Sequence, residues 1–143
     1  LVPMFLGAAL VVFDLAINNV PGLRDAHLPY PDVRLAATAQ RVPLAGEDLA
    51  AGHTFVVVEA GVRSVYGNRG ETLDLYTFEL ESEGITYEYA SASFDLDGAC
   101  DETIVQAGGT ASCKVVFEVP DTVGGGKLSY DSLTAHDSTD VTF

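Results

Sequence analysis

The sequence predicts an all-β fold, an antiparallel β-sandwich preceded by an apolar N-terminal segment. Three observations carry that prediction. From Val33 onward, apolar residues alternate with polar ones in short runs bounded by Gly, Pro, Asn and Asp, the period-2 pattern of half-buried strands. After Pro21 no run has apolar residues at convincing helical spacing. The strand runs also recur closely enough for hairpins and longer connections to stack two sheets, with the polar alternates leaving one face of each sheet in water.

The chain divides into three parts. Residues 1–20 form an apolar N-terminal segment, residues 21–31 a Pro-rich linker and residues 32–143 the sandwich domain. Leu1 to Phe13 is apolar throughout. It lacks the basic opening of a complete signal peptide and is shorter than the roughly 20 residues a membrane span needs. As a helix, Leu6, Leu10, Phe13 and Ile17 share a face. As a strand, Phe13, Leu15 and Ile17 alternate with Asp14, Ala16 and Asn18, and Val11-Val12-Phe13 favours β. Periodicity leaves both conformations open. Pro21 to Pro31 holds three prolines and a glycine among polar residues and reads as a linker; His27 lies in it as a solvated loop histidine.

Val33 to Leu44 reads as a first strand, placed at an edge by Pro43, which lacks a ladder donor. His53 to Val65 is the longest strand candidate. It places Val56, Val58, Ala60 and Val62 on one face and Phe55, Val57 and Glu59 on the other. YGNRG at Tyr66 to Gly70 is a turn. Leu75 to Leu80 continues with Tyr76, Phe78 and Leu80 in phase, and after a turn at Glu81 to Gly84 come Ile85, Tyr87 and Tyr89. Phe94 to Asp97 is a short extended piece. After Pro120, Gly124 to Gly126 turns the chain into Lys127 to Leu133, and Asp140 to Phe143 supplies a terminal strand. The expected core is Val56, Val58, Val62, Phe78, Tyr87, Val115, Phe117 and Leu128.

Cys100 to Pro120 holds both cysteines. From Cys113 onward, Cys113, Val115, Phe117 and Val119 fall on one face. Thr103 to Ala107 is β-branched and apolar, and Gly108-Gly109 supplies a tight connection. The expectation is a hairpin stapled near its ends by a Cys100–Cys113 disulfide, with two buried free thiols as the competing reading. Pairing implies an oxidising compartment. No CxxC spacing occurs and no histidine neighbours either thiol, which argues against zinc binding and thiol catalysis.

The charge narrows the partners. There are 21 acidic and 7 basic residues, a net charge of −14, which repels nucleic acid and anionic lipid. Such a surface suits a secreted acidic protein or a salt-rich habitat. The membrane enters only as a transient anchor before assembly.

The order of motifs from about Gly52 to Tyr130 resembles the DUF4352 and Mpt63-like group of immunoglobulin-like extracytoplasmic domains. The matching stretches are GHTFVVVEAGVRS, LYTFELESEGITYEY, QAGGTASCKVVFEVPD and KLSYDS. The resemblance implies an immunoglobulin-like β-sandwich, secreted or surface-anchored, with no established catalytic site. The apolar leader is not part of that pattern.

Candidate chemistry is sparse. FDLDGACDE places Asp95, Asp97, Asp101 and Glu102 together, and Asp-x-Asp-Gly offers alternating oxygens to calcium. The loop lacks a third oxygen ligand at Ala99 and a closing glutamate at Gln106, so a solvated loop is the simpler reading. No cofactor is expected, beyond weak calcium binding near Asp95, Asp97 and Asp101. His53 can approach Glu59 or Asp48, yet no GxSxG elbow accompanies it. Tyr66, Tyr87 and Tyr89 are either an aromatic platform or core and rim packing. The chain is therefore expected to be non-enzymatic. Two readings remain. One is a structural subunit assembling with copies of itself through Leu6, Leu10, Val11, Phe13, Leu15 and Ile17 into a pilus-like surface fibre or sheath. It does so either by donating a strand to a neighbour's sheet edge or by packing as a helix in a shared fibre stem, although Phe5 stands where bacterial type IV pilins carry a glutamate. The other is a monomeric extracellular or cell-surface domain that binds a protein or small ligand.

Overall fold

The alternating run at His53 becomes the middle strand of a three-stranded sheet. A computed structural model describes residues 32–65 and 69–143. The N-terminal segment, with the proposed assembly residues Leu6 to Ile17, the linker and Tyr66 to Asn68 of the predicted turn lie outside the described residues. The strands are β1 (Val33–Arg41), β2 (His53–Ser64), β3 (Glu71–Leu73), β4 (Phe78–Ser82), β5 (Ile85–Tyr87), β6 (Thr103–Val105), β7 (Thr110–Pro120), β8 (Gly125–Asp131) and β9 (His136–Thr142). They form sheets in the orders β1-β2-β7 and β5-β4-β8-β9, with β3 and β6 as a separate two-stranded strip. The pairings between named strands are antiparallel. If β1, β2, β4, β5, β7, β8 and β9 are read as strands A, B, C, C′, E, F and G, the sheets are A-B-E and C′-C-F-G. This is the strand order of an immunoglobulin-like sandwich.

Alternation builds the core. Val56, Val58, Ala60 and Val62 on β2, with Val115 and Phe117 on β7, face Phe78, Leu80, Leu128 and Tyr130 of the other sheet, all at or near zero exposure. Phe78 and Tyr130 pair as tilted rings 5.3 Å apart. Tyr87 packs against this core only partly buried, because β5 is a short edge strand that leaves its ring at the rim.

Several local expectations are corrected. Thr103–Val105 does not form a hairpin with β7: β6 pairs with β3, and β7 pairs along its length with β2. The turn at Gly108-Gly109 exists, with the Gly109 amide donating to the Gln106 carbonyl, but it connects strands of different sheets. Leu75–Thr77 is a 3-10 turn, so Tyr76 leaves the phase of Phe78 and Leu80 and is 73% exposed. Ser91–Asp95 is also a 3-10 turn and not an extended piece. Gly125 and Gly126 are not turn residues; they open β8 between β4 and β9. A Cβ on Gly125 would lie 2.7 Å from the Val141 carbonyl oxygen, so the squeezed strand requires glycine there. The turn at Glu83-Gly84, with φ of 54° and 81°, is of the two-residue type I′ form that matches strand twist.

Candidate ligand-binding cleft

The outer face of the three-stranded sheet is not bare. Phe55 and Val116 point outward from β2 and β7, against the polar alternation of their neighbours. With Ala92 they form a second buried cluster, flanked by Leu44, Val57, Ala90 and Leu96. Two irregular segments supply the cover: the loop 42–52 after β1, and a strap of residues 88–100.

The strap is held to the free edge of β7 by backbone-like contacts. The Ala90 amide donates to the Val116 carbonyl at 2.7 Å, and the Lys114 amide donates to the Gly98 carbonyl at 2.8 Å. The Cys100 amide donates to the Lys114 carbonyl at 2.9 Å. Ser93, fully buried, stands in for a strand residue: its Oγ accepts from the Val116 amide at 2.9 Å and lies 3.2 Å from the Val116 carbonyl oxygen, to which it donates. Cys100 and Cys113 are joined by a disulfide, both sulfurs belonging to buried residues.

Between loop and strap lies an open cleft of about 290 Å³, lined by Gly46, Glu47, Asp48, Phe55, Glu88 and Glu118, with Ala90 to Ala92 as one wall. Phe55, Ala90 and Ala92 contribute a small apolar part of its lining, which is mainly polar and carries four carboxylates. Glu118 is fixed in place: its Oε2 accepts from the Ala50 amide at 3.2 Å and lies 2.8 Å from His53 Nδ1. Glu47 reaches toward Asp95 on the strap. Contact with the Asp95 carboxyl, followed by partial loss of solvent and the charges of Asp95 and Asp48, raises the Glu47 carboxyl above its ordinary value. On the other side of the loop, Arg41, Val42, Pro43, Leu44, Leu49 and Phe55 line an apolar groove.

A second polar cluster lies elsewhere. Glu71 on β3, almost fully buried, accepts hydrogen bonds from Tyr130 Oη at 2.7 Å, Ser132 Oγ at 2.9 Å and Thr134 Oγ1 at 2.9 Å. The three hydroxyls replace the water that a buried carboxylate loses. Burial first, then the Glu71 carboxylate, pushes the Tyr130 phenol above its usual range. The cluster ties β3 to the β8–β9 turn. Sequence reading missed it because β3 is only three residues long.

The sequence-predicted groups are scattered. His53 meets Glu118 across the sheet, not Glu59 or Asp48. His136 pairs with Asp131 at 2.6 Å on the β8–β9 hairpin. Asp95 faces Glu47. Among the described residues no three His, Cys, Asp or Glu side chains are placed to hold a metal ion, so Asp95, Asp97 and Asp101 do not assemble a calcium cage. Tyr87 and Tyr89 pack against the core, and Tyr89 meets Phe94 edge-on at 5.9 Å; they form rim packing and not an open platform. Among the described residues both thiols are consumed by the disulfide, and His53 and His136 each pair with a carboxylate.

No protein-family model matches the chain, and no curated protein is similar to it. Among solved structures, the chain is similar to the crystal structure of MPT63, a secreted protein from Mycobacterium tuberculosis. The identity is 14% and the TM-score 0.48, over 73% of this chain and 76% of that one.

The reading of the chain as a fibre or sheath subunit is corrected. Among the described residues, the route by a donated strand meets a covered β7 edge and a β1 edge that already touches β9. The strap covers β7, and on β1 the Leu35 amide donates to Asp137 Oδ2 of β9 at 2.8 Å.

Proposed function

We propose that this protein is a non-enzymatic extracytoplasmic domain that binds a protein or small ligand in the cleft between the loop 42–52 and the strap. The cleft carries the reading. It is a concave recess in which Phe55, Ala90 and Ala92 lie beside four carboxylates. One of them, Glu118, is held by the Ala50 amide and His53, and ligands bind in concave sites with placed polar groups. Irregular segments displayed on a rigid sheet are where such folds place recognition. The disulfide supports an oxidising, extracytoplasmic setting. The acid excess keeps the domain soluble and turns nucleic acid away.

Chemical-shift mapping tests the reading. The amide spectrum is followed while small amines, guanidines, neutral aromatics and carboxylic acids are added in turn. At least one class should shift Gly46, Phe55, Ala92 and Glu118 together. Ser91→Trp, which fills the cleft from its exposed wall, should abolish those shifts without unfolding the domain. Shifts confined to other surfaces, or none with any class, would overturn the proposal.

A further inference from the structure

The strap does something the sandwich itself does not require: it closes the one long sheet edge that β9 leaves open. On that edge Lys114 and Val116 turn their amides and carbonyls outward, and all four groups are satisfied by the strap. Glu118, two residues further on, has the same backbone phase. The strap reaches this edge through isolated contacts, a single parallel bridge at Ala99 and Lys114 and one serine hydroxyl, and not through a ladder of its own. Only the Cys100–Cys113 bond ties it covalently to β7.

We infer that residues 90–100 are a releasable guard on the β7 edge, with the Cys100–Cys113 disulfide as its latch, and that opening the latch frees the edge to pair with β7 of a second copy. The occupant follows from the sequence of the edge. Antiparallel pairing of two β7 strands about Val116 sets Val116 opposite Val116, and Lys114 opposite Glu118 of the second copy, twice over. Val116 then forms a hydrogen-bonded pair, and so do the flanking residues, because all three share the outward phase. The two opposite-charge pairs lie on one face, where cross-strand pairs stabilise an antiparallel sheet. The arrangement is two-fold symmetric and self-limiting. It gives a closed dimer in which this edge is used up by one pairing. In the oxidised protein the edge stays covered, as proteins generally cover long apolar edges.

Opening the latch with dithiothreitol breaks the Sγ–Sγ bond. Each cysteine sulfur takes up a proton, and the dithiol is oxidised to its cyclic disulfide. The full chain is compared in oxidised form, after this reduction and as Cys100→Ser/Cys113→Ser, by amide hydrogen exchange and sedimentation velocity. At low protein concentration the Lys114 and Val116 amides should exchange on the order of a hundredfold faster in the opened forms, as expected of local release. As concentration rises the opened forms should dimerise and regain that protection, while the oxidised chain does neither. Lys114→Glu should abolish the dimer of the reduced chain, and Lys114→Glu/Glu118→Lys should restore it. Three results would overturn the inference: amides that stay protected after reduction, association indifferent to the charge at position 114, or loss of the far-UV β-sheet signal in both opened forms. The last would make the bond a staple of the whole sandwich and not a latch on one edge.

Discussion

The two faces of the three-stranded sheet are built from the same strands by different rules. On the inner face, Val56, Val58, Val115 and Phe117 alternate without exception into a core shared with the second sheet. On the outer face the same strands carry Phe55, Val57 and Val116 beside the charged Glu59 and Lys114. The apolar part of that face is buried by chain that is neither strand nor α-helix. Regular alternation is enough to place a sheet-on-sheet core. An apolar residue at a position that should be polar signals that irregular chain covers it. The cleft lies on this second face, beside the strap that closes the sheet edge.

The largest expected effect is on the inner face. Phe117→Ala removes a fully buried ring and should cost about 3–5 kcal/mol in urea unfolding, through lost burial and the cavity left behind. The denaturant slope should be unchanged, since the fold persists. A silent Phe117→Ala would mean that β7 presents its other face to the core, since a shift of one residue exchanges the two faces.

A smaller effect is expected where the strap meets the edge. Ser93→Ala leaves the Val116 amide buried without an acceptor and should cost about 1–3 kcal/mol. Hydrogen exchange should show the Val116 amide losing protection while β2 amides facing the core keep theirs. Equal loss in both places would mean that strap and core unfold as one unit, and the contrast between the two faces would vanish.

The inner face was legible in the sequence because its periodicity is local. β2 and β7 announce themselves, and so do Phe78, Leu80 and Leu128. The partner of β6 was not legible. Thr103–Val105 has three residues and no periodicity of its own, and a Gly-Gly turn beside β7 is equally compatible with a hairpin or a crossing between sheets. A cysteine pair fixes only that two backbone points lie close, here with Cα atoms 4.8 Å apart, and not which strands run between them. The cleft was illegible for a related reason. Glu47 and Asp48, Glu88 and Glu118 come from three separate stretches of chain, and only the fold brings them together. One local signal existed. The unbroken triplets Val56-Val57-Val58 and Val115-Val116-Phe117 are too apolar for strands with one wet face.

The smallest expected effect sharpens the picture of the cleft itself. Glu47 and Asp95 are carboxyls on opposite segments, and their contact is favourable only while a proton lies between them. The Glu47 carboxyl is accordingly raised above 4.5, first by its hydrogen bond with Asp95. For a raised acid the sign is fixed: the contact stabilises the closed loop below the ordinary carboxylate range and is lost as pH rises through the raised value. Glu47 is only partly buried, so salt screens the interaction and global unfolding should barely register it. The measurement is therefore local, a pH titration of the Glu47 side-chain carboxyl by NMR. Its midpoint should lie above 4.5 and fall back in Asp95→Asn, where the neighbouring charge is gone. Glu47→Gln keeps a hydrogen-bond donor at every pH and should flatten the pH dependence of the Gly46 and Asp48 amide shifts. A Glu47 midpoint unmoved by Asp95→Asn would mean that loop and strap do not touch, and that the cleft is open on that side at all pH values.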